Sequence, residues 1–193
     1  MSLQILILAA GEARRFGGPK QLANVNGEPM LQRVLSRACA VAGHAVTVVL
    51  GAHARDILQV LRSGPATVVI NRDWAEGVAS SIRAGMQSAC AAYEGVMILL
   101  GDQPLIGTET LQALIGAWRR QPRCLIASQY GAVTGVPAIF PRWCYADLLG
   151  LRGDQGARLL LRRYADSLIR VPNPQAAVDV DQPEDLRRLD ARL

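Results

Sequence analysis

Little in this sequence is aromatic or charged: 5% of its 193 residues are Phe, Trp or Tyr, and 19% are Asp, Glu, Lys or Arg. No apolar run approaches the roughly 20 residues that a membrane helix needs. The longest are strand-sized, at residues 5–10 and 96–100, so a bilayer span is excluded. The only histidines, His44 and His53, have no Cys or carboxylate motif beside them. The four cysteines, at 39, 90, 124 and 144, lie too far apart for zinc-ligand spacing and read as small core residues. Aromatic residues are not interleaved with basic ones as single-strand nucleic-acid binding requires. The net charge of +5 is scattered, densest at the pairs Arg119-Arg120, Arg162-Arg163 and Arg187-Arg188, which read as solvated helix faces. No nucleic-acid or membrane partner is therefore expected. A basic balance does suit a pocket for polyanionic small molecules. The first residues carry no basic run and enter a strand directly, so a signal peptide is not expected and the location reads as cytoplasmic.

What is present is alternation. Short β-rich apolar runs at 4–9, 45–50, 66–70, 96–100 and 124–127 are separated by amphipathic stretches of helical length. Pro29 opens the first helix and Gly43 ends it. This pattern predicts βαβ units around a mainly parallel sheet with helices on both faces. Beyond residue 128, Gly131, Gly135, Pro137 and Pro141 punctuate a short antiparallel excursion at 136–140. Helices follow near 142–149 and 157–164, late strands at 167–171 and 177–180, and a last helix from Pro183. With no repeat, low-complexity tract or linker, residues 1–193 read as one domain.

In an open parallel sheet, ligands bind where strands end and loops enter helices. That rule selects the loops after residues 9, 70, 100 and 180. The first, Leu8-Ala9-Ala10-Gly11-Glu12-Ala13-Arg14-Arg15-Phe16-Gly17-Gly18-Pro19-Lys20, sets three glycines, two arginines and a lysine after a buried strand. Small residues let main-chain N–H groups approach phosphate oxygens, and the cations offset their charge. Gln21 after Lys20 breaks a Walker A pattern, and the dinucleotide fingerprint is absent. The alternative is a flexible loop with solvated arginines.

Two carboxylate segments lie far apart. Gly101-Asp102-Gln103-Pro104 follows one strand, and Asp179-Val180-Asp181-Gln182-Pro183-Glu184-Asp185 precedes the last helix. Mg²⁺ takes one or two carboxylates together with phosphates and water, so an Asp from each segment suffices. Alternatively Asp102 is a turn residue and Asp181 a helix cap. Asp179 shares a face with Asp181 in an extended segment and can replace it. Glu184 and Asp185 suit the N-terminal turn of the helix.

Together these segments resemble the MobA-like nucleotidyltransferases, in the branch of molybdenum cofactor cytidylyltransferases. The first loop is similar to the signature LAAGxxxRxGxxK, with Arg15, Gly17 and Lys20 in register. GDQP and DxDxPEDL match the two metal-binding segments. The run from Asn71 to Gly85 is similar to N-x-x-W-x-x-G-x-x-x-S, and Gly135 to Phe140 and Leu151 to Arg158 are similar to G-x-P-x-x-F and GDxGAR. The resemblance covers nearly the whole chain. It implies a three-layer α/β/α Rossmann-like fold of the nucleotide-diphospho-sugar transferase type, with a mostly parallel mixed sheet. It further implies that Leu8, Ala9, Ala10 and Gly11 meet the base and ribose, that Arg15 and Lys20 hold phosphates, and that Asn71, Gly77 and Ser81 lie near the base or sugar. Asp102 and Asp181 would hold Mg²⁺, and Gly135, Pro137, Gly153, Asp154 and Gly156 would border the acceptor. As local structure, Ser80 or Ser81 also suits a helix cap, and Gly153, Asp154 and Gly156 suit an ordinary loop before a helix.

The implied reaction is Mg²⁺-dependent transfer of CMP from CTP to the phosphate of molybdopterin, with release of pyrophosphate. Guanylyltransferases of the branch tend to carry LAGG. The Ala10 methyl leaves less room beside a purine, which favours CTP over GTP. A cytidine dinucleotide would be delivered to a molybdenum hydroxylase apoenzyme. Another phosphorylated acceptor, a sugar-1-phosphate nucleotidyltransferase and a non-catalytic nucleotide-binding module are the alternatives.

Overall fold

Burial of the first apolar run organises the molecule. The computed structural model describes residues 2–89 and 92–190. Strand β1, Leu3–Ala9, lies at the centre of a seven-stranded sheet of order β5-β4-β1-β6-β8-β7-β9. The others are β4 (Val46–Leu50), β5 (Thr67–Ile70), β6 (Gly95–Leu100), β7 (Leu125–Tyr130), β8 (Val133–Pro141) and β9 (Leu168–Pro172). All run parallel except β8, antiparallel to both β6 and β7. The predicted excursion at 136–140 is this strand.

Both faces are covered, which is why the strands read as unbroken apolar runs rather than alternating ones. Ile5, Ile7 and Ala9 pack under α1 (Met30–Ala42), α2 (Ala54–Val60) and α4 (Thr108–Arg120). Leu6, Leu8 and Ala10 pack under α3 (Val78–Ala89), α5 (Tyr145–Gly150) and α6 (Arg158–Arg163). This is the predicted three-layer mixed-sheet fold. Cys144 is fully buried and carried up to about 12, first by burial and then by the charge of Asp147. Cys39 and Cys124 sit at the core margin; Cys90 lies outside the described residues. Arg119, Arg120, Arg162, Arg163, Arg187 and Arg188 are exposed, as expected of solvated faces. No helix among the described residues is long and apolar enough to cross a membrane.

Two segments differ from expectation. The first loop also holds a hairpin, β2 (Asn24–Val25) with β3 (Glu28–Pro29), whose turn places Asn26 and Gly27 at φ 52° and 84°. The predicted strand at 177–180 does not form: a 3-10 turn, Pro174–Ala177, is followed by irregular chain. The amide of Val178 bonds to Gln175 O and that of Val180 to Asp102 O, at 3.2 and 3.0 Å, so neither joins a strand ladder. Helix α7, Pro183–Asp190, then packs Leu189 against Val180, Val25 and Met30 in a small third core.

Asp185, third in α7, accepts hydrogen bonds from the amides of Asp181 and Gln182 at 3.0 and 2.9 Å, which hold its pKa below the ordinary 3.8. Asp185→Ala is expected to cost about 1 kcal/mol at neutral pH, the usual worth of such a cap. Because the folded pKa lies below the unfolded one, this contribution is present above pH 3.8 and fades as the pH falls through the folded value. Urea titrations of both proteins at pH 7 and pH 3 check it: the gap should shrink in acid.

Candidate active site

A cavity of about 520 Å³ opens at the carboxyl ends of β1 and β6. Its floor is the chain leaving β1, whose carbonyls from Leu8 to Glu12 are each tied to another segment. Leu8 O accepts from Gly101 N (2.9 Å), Ala10 O from Ala52 N (3.1 Å), and Glu12 O meets His53 Nε2 at 2.9 Å. The buried Gln21 amide donates to both Ala9 O and Gly11 O, at 3.0 and 3.2 Å. Among the described residues, the amides of Gly11 to Arg15 make no hydrogen bond. With carbonyls held away and amides free, the loop forms a concavity suited to an anion. Gly51 packs directly behind Ala10 and has no room for a side chain: a Cβ there would lie 2.5 Å from Ala10 O and 2.7 Å from Trp74 Cβ.

The 3-10 turn Lys20–Leu22 brings Lys20 between the two distant carboxylates. Its Nζ lies 2.7 Å from Asp102 Oδ2 and 2.9 Å from Asp181 Oδ1, while Arg15 Nη2 lies 2.7 Å from Asp181 Oδ2. Burial pulls the Lys20 pKa down, but Asp102 and Asp181 together outweigh it and raise it above 10.5. The carboxylates flanking this ammonium shift in opposite directions. Burial pushes Asp102 up despite Lys20, helped by the negative charges of Asp179 and Asp181. Asp181, one-third exposed, is lowered by the Lys20 hydrogen bond and the Lys20 and Arg15 charges. The difference follows from desolvation, which is severe only for Asp102.

The donor set fits a divalent cation. Asp102 Oδ1 is buried without a hydrogen-bond partner among the described residues, an acceptor that a cation would satisfy. No cluster of three or more acidic, His or Cys ligands occurs among them. Two carboxylates are what Mg²⁺ uses when phosphates and water complete its shell. Asp181 is the residue that faces Lys20 and lines both the main cavity and an adjoining 380 Å³ groove beside α7, whereas Asp179 is exposed and lines the groove alone.

Of the other residues singled out in the sequence, Leu8, Ala9, Ala10, Gly11, Arg15, Gly77, Ser81 and Asp154 line the main cavity. Asn71 is not part of the lining. Its Nδ2 donates to Ser80 Oγ and Ser81 Oγ at 2.8 and 3.1 Å and its Oδ1 accepts from Asp73 N, so it supports Ser81 from behind. Gly135 and Pro137 lie in β8, outside the lining; Pro137 O accepts from Ser128 Oγ. Gly153 and Gly156 stand behind Asp154, where Gly153 O accepts from Ala79 N. Sequence reasoning missed Gln21, Trp74 and Gly51. Gln21 was visible only as the residue that spoils a Walker A match.

The wall formed by residues 74–78 and 151–156 depends on Gly77. It holds φ 120°, and a Cβ there would lie 2.5 Å from Asp154 Oδ1 and from Gly153 C and O. Glu76 bonds to Arg83 and to the Gly153 amide, pulling the two loops together. Gly77→Ala is expected to destabilise the protein by about 1–3 kcal/mol and to weaken nucleotide binding severalfold. Thermal unfolding and a nucleotide titration measure the two effects.

Residues 5–168 match the MobA-like NTP transferase domain. The chain belongs to this family. Its relatives include nicotine blue oxidoreductase of Paenarthrobacter nicotinovorans, 30% identical over 95% of this chain and 94% of that protein. Purine catabolism protein PucB of Bacillus subtilis (strain 168) is 26% identical over 93% of this chain and 92% of its own. Among solved structures, Rv0371C of Mycobacterium tuberculosis H37Rv in complex with manganese superimposes with a TM-score of 0.83 at 25% identity, over the full length of both chains. The chain is thus a MobA-like nucleotidyltransferase of Rossmann-like fold.

Proposed function

We propose that this nucleotidyltransferase transfers CMP from CTP to the phosphate of a molybdopterin cofactor, forming molybdopterin cytosine dinucleotide and pyrophosphate. The observation that carries the reading is the convergence of Lys20, Arg15, Asp102 and Asp181 at the mouth of a loop with uncommitted amides. The manganese found with the Rv0371C relative supports a divalent ion here. Asp102 and Asp181 would hold Mg²⁺, which supplies positive charge to the reacting phosphates.

An oxygen of the acceptor phosphate forms a bond to the α-phosphorus of CTP. The bond from that phosphorus to the bridging oxygen breaks, and pyrophosphate leaves with the electron pair. A phosphate monoester has a second pKa of about 6, so it is already a nucleophile and needs no general base. The protein's contribution is alignment and charge. Lys20, its pKa raised, stays an ammonium throughout the neutral range and faces negative charge developing on the phosphates, with Arg15 beside it. The free amides from Gly11 to Arg15 receive phosphate oxygens. Ala10, backed tightly by Gly51 and Trp74, leaves little room beside a purine and favours cytosine. Asp154 and Ser81 on the cavity wall are assigned to the acceptor and the nucleotide, respectively. Gly135, Pro137, Gly153 and Gly156 do not line the cavity and have no direct contact with substrate in this reading. Delivery to a molybdenum hydroxylase apoenzyme completes the proposal.

Pyrophosphate release with each of CTP, GTP, ATP and UTP, with and without molybdopterin and Mg²⁺, tests it. The expected result is release only with CTP, acceptor and metal together. Preference for GTP would overturn the base assignment, and release with another phosphorylated acceptor but not molybdopterin would overturn the acceptor.

A further inference from the structure

What holds Asp102 and Asp181, 79 residues apart in the sequence, at one ammonium? The segment carrying Asp181, residues 178–182, has no regular secondary structure, so cross-links to neighbouring elements set its position. Two of them reach the loop after β6. One is main chain, Val180 N to Asp102 O at 3.0 Å. The other is a side chain: Gln103 Nε2 donates to Ala176 O at 3.0 Å. Gln103 is only 3% exposed, and its Oε1 is buried without a partner among the described residues. A buried amide left half-satisfied is costly to keep, and what this one does is tie the residue next to Asp102 to the 3-10 turn Pro174–Ala177.

That turn is fixed at its other end. Asn173, also buried, donates from its main chain to Gln129 O at 2.8 Å and from Nδ2 to Ser128 Oγ at 2.9 Å, which anchors it to β7. Gln103 therefore links the Asp102 loop to Ala176, five residues before Asp181, in a turn that Asn173 anchors to β7.

We infer that Gln103 is a positioning residue for the metal site: its amide sets the separation of Asp102 and Asp181 without touching substrate. The inference rests on the metal role proposed above for those two residues. Removing the strut cuts one of the two links between the segments and leaves the main-chain bond from Val180 to Asp102, which loosens the spacing of the carboxylates and weakens cation binding while the amide-lined loop, held by Gln21, Ala52 and His53, is undisturbed. Groups that orient metal ligands from behind are typically worth 10- to 100-fold in metal affinity.

The test is calorimetric titration of CTP, and of GTP in parallel, into the wild type, Gln103→Met and Gln103→Asn, once in EDTA and once in saturating Mn²⁺. The readout is the ratio of the two affinities. Met matches the length of Gln but lacks the donor; Asn keeps the amide one methylene short and disturbs packing less should the Met variant not fold. The expected result is a gain with Mn²⁺ in the wild type that falls about tenfold in Gln103→Met and less in Gln103→Asn, with the EDTA affinity within about twofold. An undiminished gain in folded variants would overturn the inference, as would a parallel loss in EDTA, which marks a general packing role. A wild type showing no gain for either nucleotide would instead defeat the metal reading itself.

Discussion

Asp102→Asn is expected to lower kcat/KM for pyrophosphate release by at least about 10²-fold, the scale seen when one charge-stabilising group is removed from a polar active site. The change is nearly isosteric and deletes only the negative charge. Burial is the largest influence on Asp102 and acts against its ionised form, so a neutral amide relieves desolvation even as it loses part of the Lys20 interaction. Lys20 keeps Asp181 as a partner at 2.9 Å. The melting temperature should therefore hold or rise while activity disappears. A coupled pyrophosphate assay beside a thermal melt separates the two, and full activity in the folded variant would refute the metal role of Asp102.

Lys20→Met should fail in both respects. Its loss removes the ammonium facing the phosphates, again about 10²- to 10³-fold in kcat, and leaves Asp102 without its cationic partner. Lys20 and Asp102 side chains are 13% and 20% exposed, and breaking such a buried pair costs about 3–5 kcal/mol. The low end applies, since Arg15 still serves Asp181, which is partly solvated. The pH window follows from the directions of the shifts. The folded pKa of Lys20 is raised, so its stabilisation is complete below 10.5 and is lost as the pH climbs through the folded value. The folded pKa of Asp181 is lowered, so its share is present above 3.8 and is lost as the pH falls through the folded value. Asp102, whose folded pKa is raised, loses its charge before Asp181 as the pH falls, so wild type and variant should differ most from neutral pH up to 10.5 and converge toward both extremes, as measured by urea unfolding across the pH range.

The framework was largely legible. The apolar runs at 4–9, 45–50, 66–70 and 96–100 became β1, β4, β5 and β6 nearly residue for residue; β1, β4 and β6 are covered on both faces and leave a signal that depends on a few adjacent side chains, while the half-exposed edge strand β5 was legible from its β-branched Thr67, Val68, Val69 and Ile70. The strand expected at 177–180 does not form, since that stretch is shaped by the turn at Pro174–Ala177 and by bonds to Gln175 and Asp102 that no local pattern encodes. The Asn26-Gly27 turn was a readable hairpin signal, but its strands are two residues long and too short to register as apolar runs.

Residue types and chain order alone determined the alternation of strand and helix, the parallel sheet, and the loops at its carboxyl edge that bear charge. These follow from β-propensity, periodicity and the handedness of crossovers, all properties of short stretches. Tertiary structure alone decided that Asp181 rather than Asp179 meets Lys20, that Asn71 supports the cavity wall instead of lining it, and that Gln21 and Gln103 brace the site. Each of these depends on hydrogen bonds between segments nine to 161 residues apart, fixed only once the sheet has set their register.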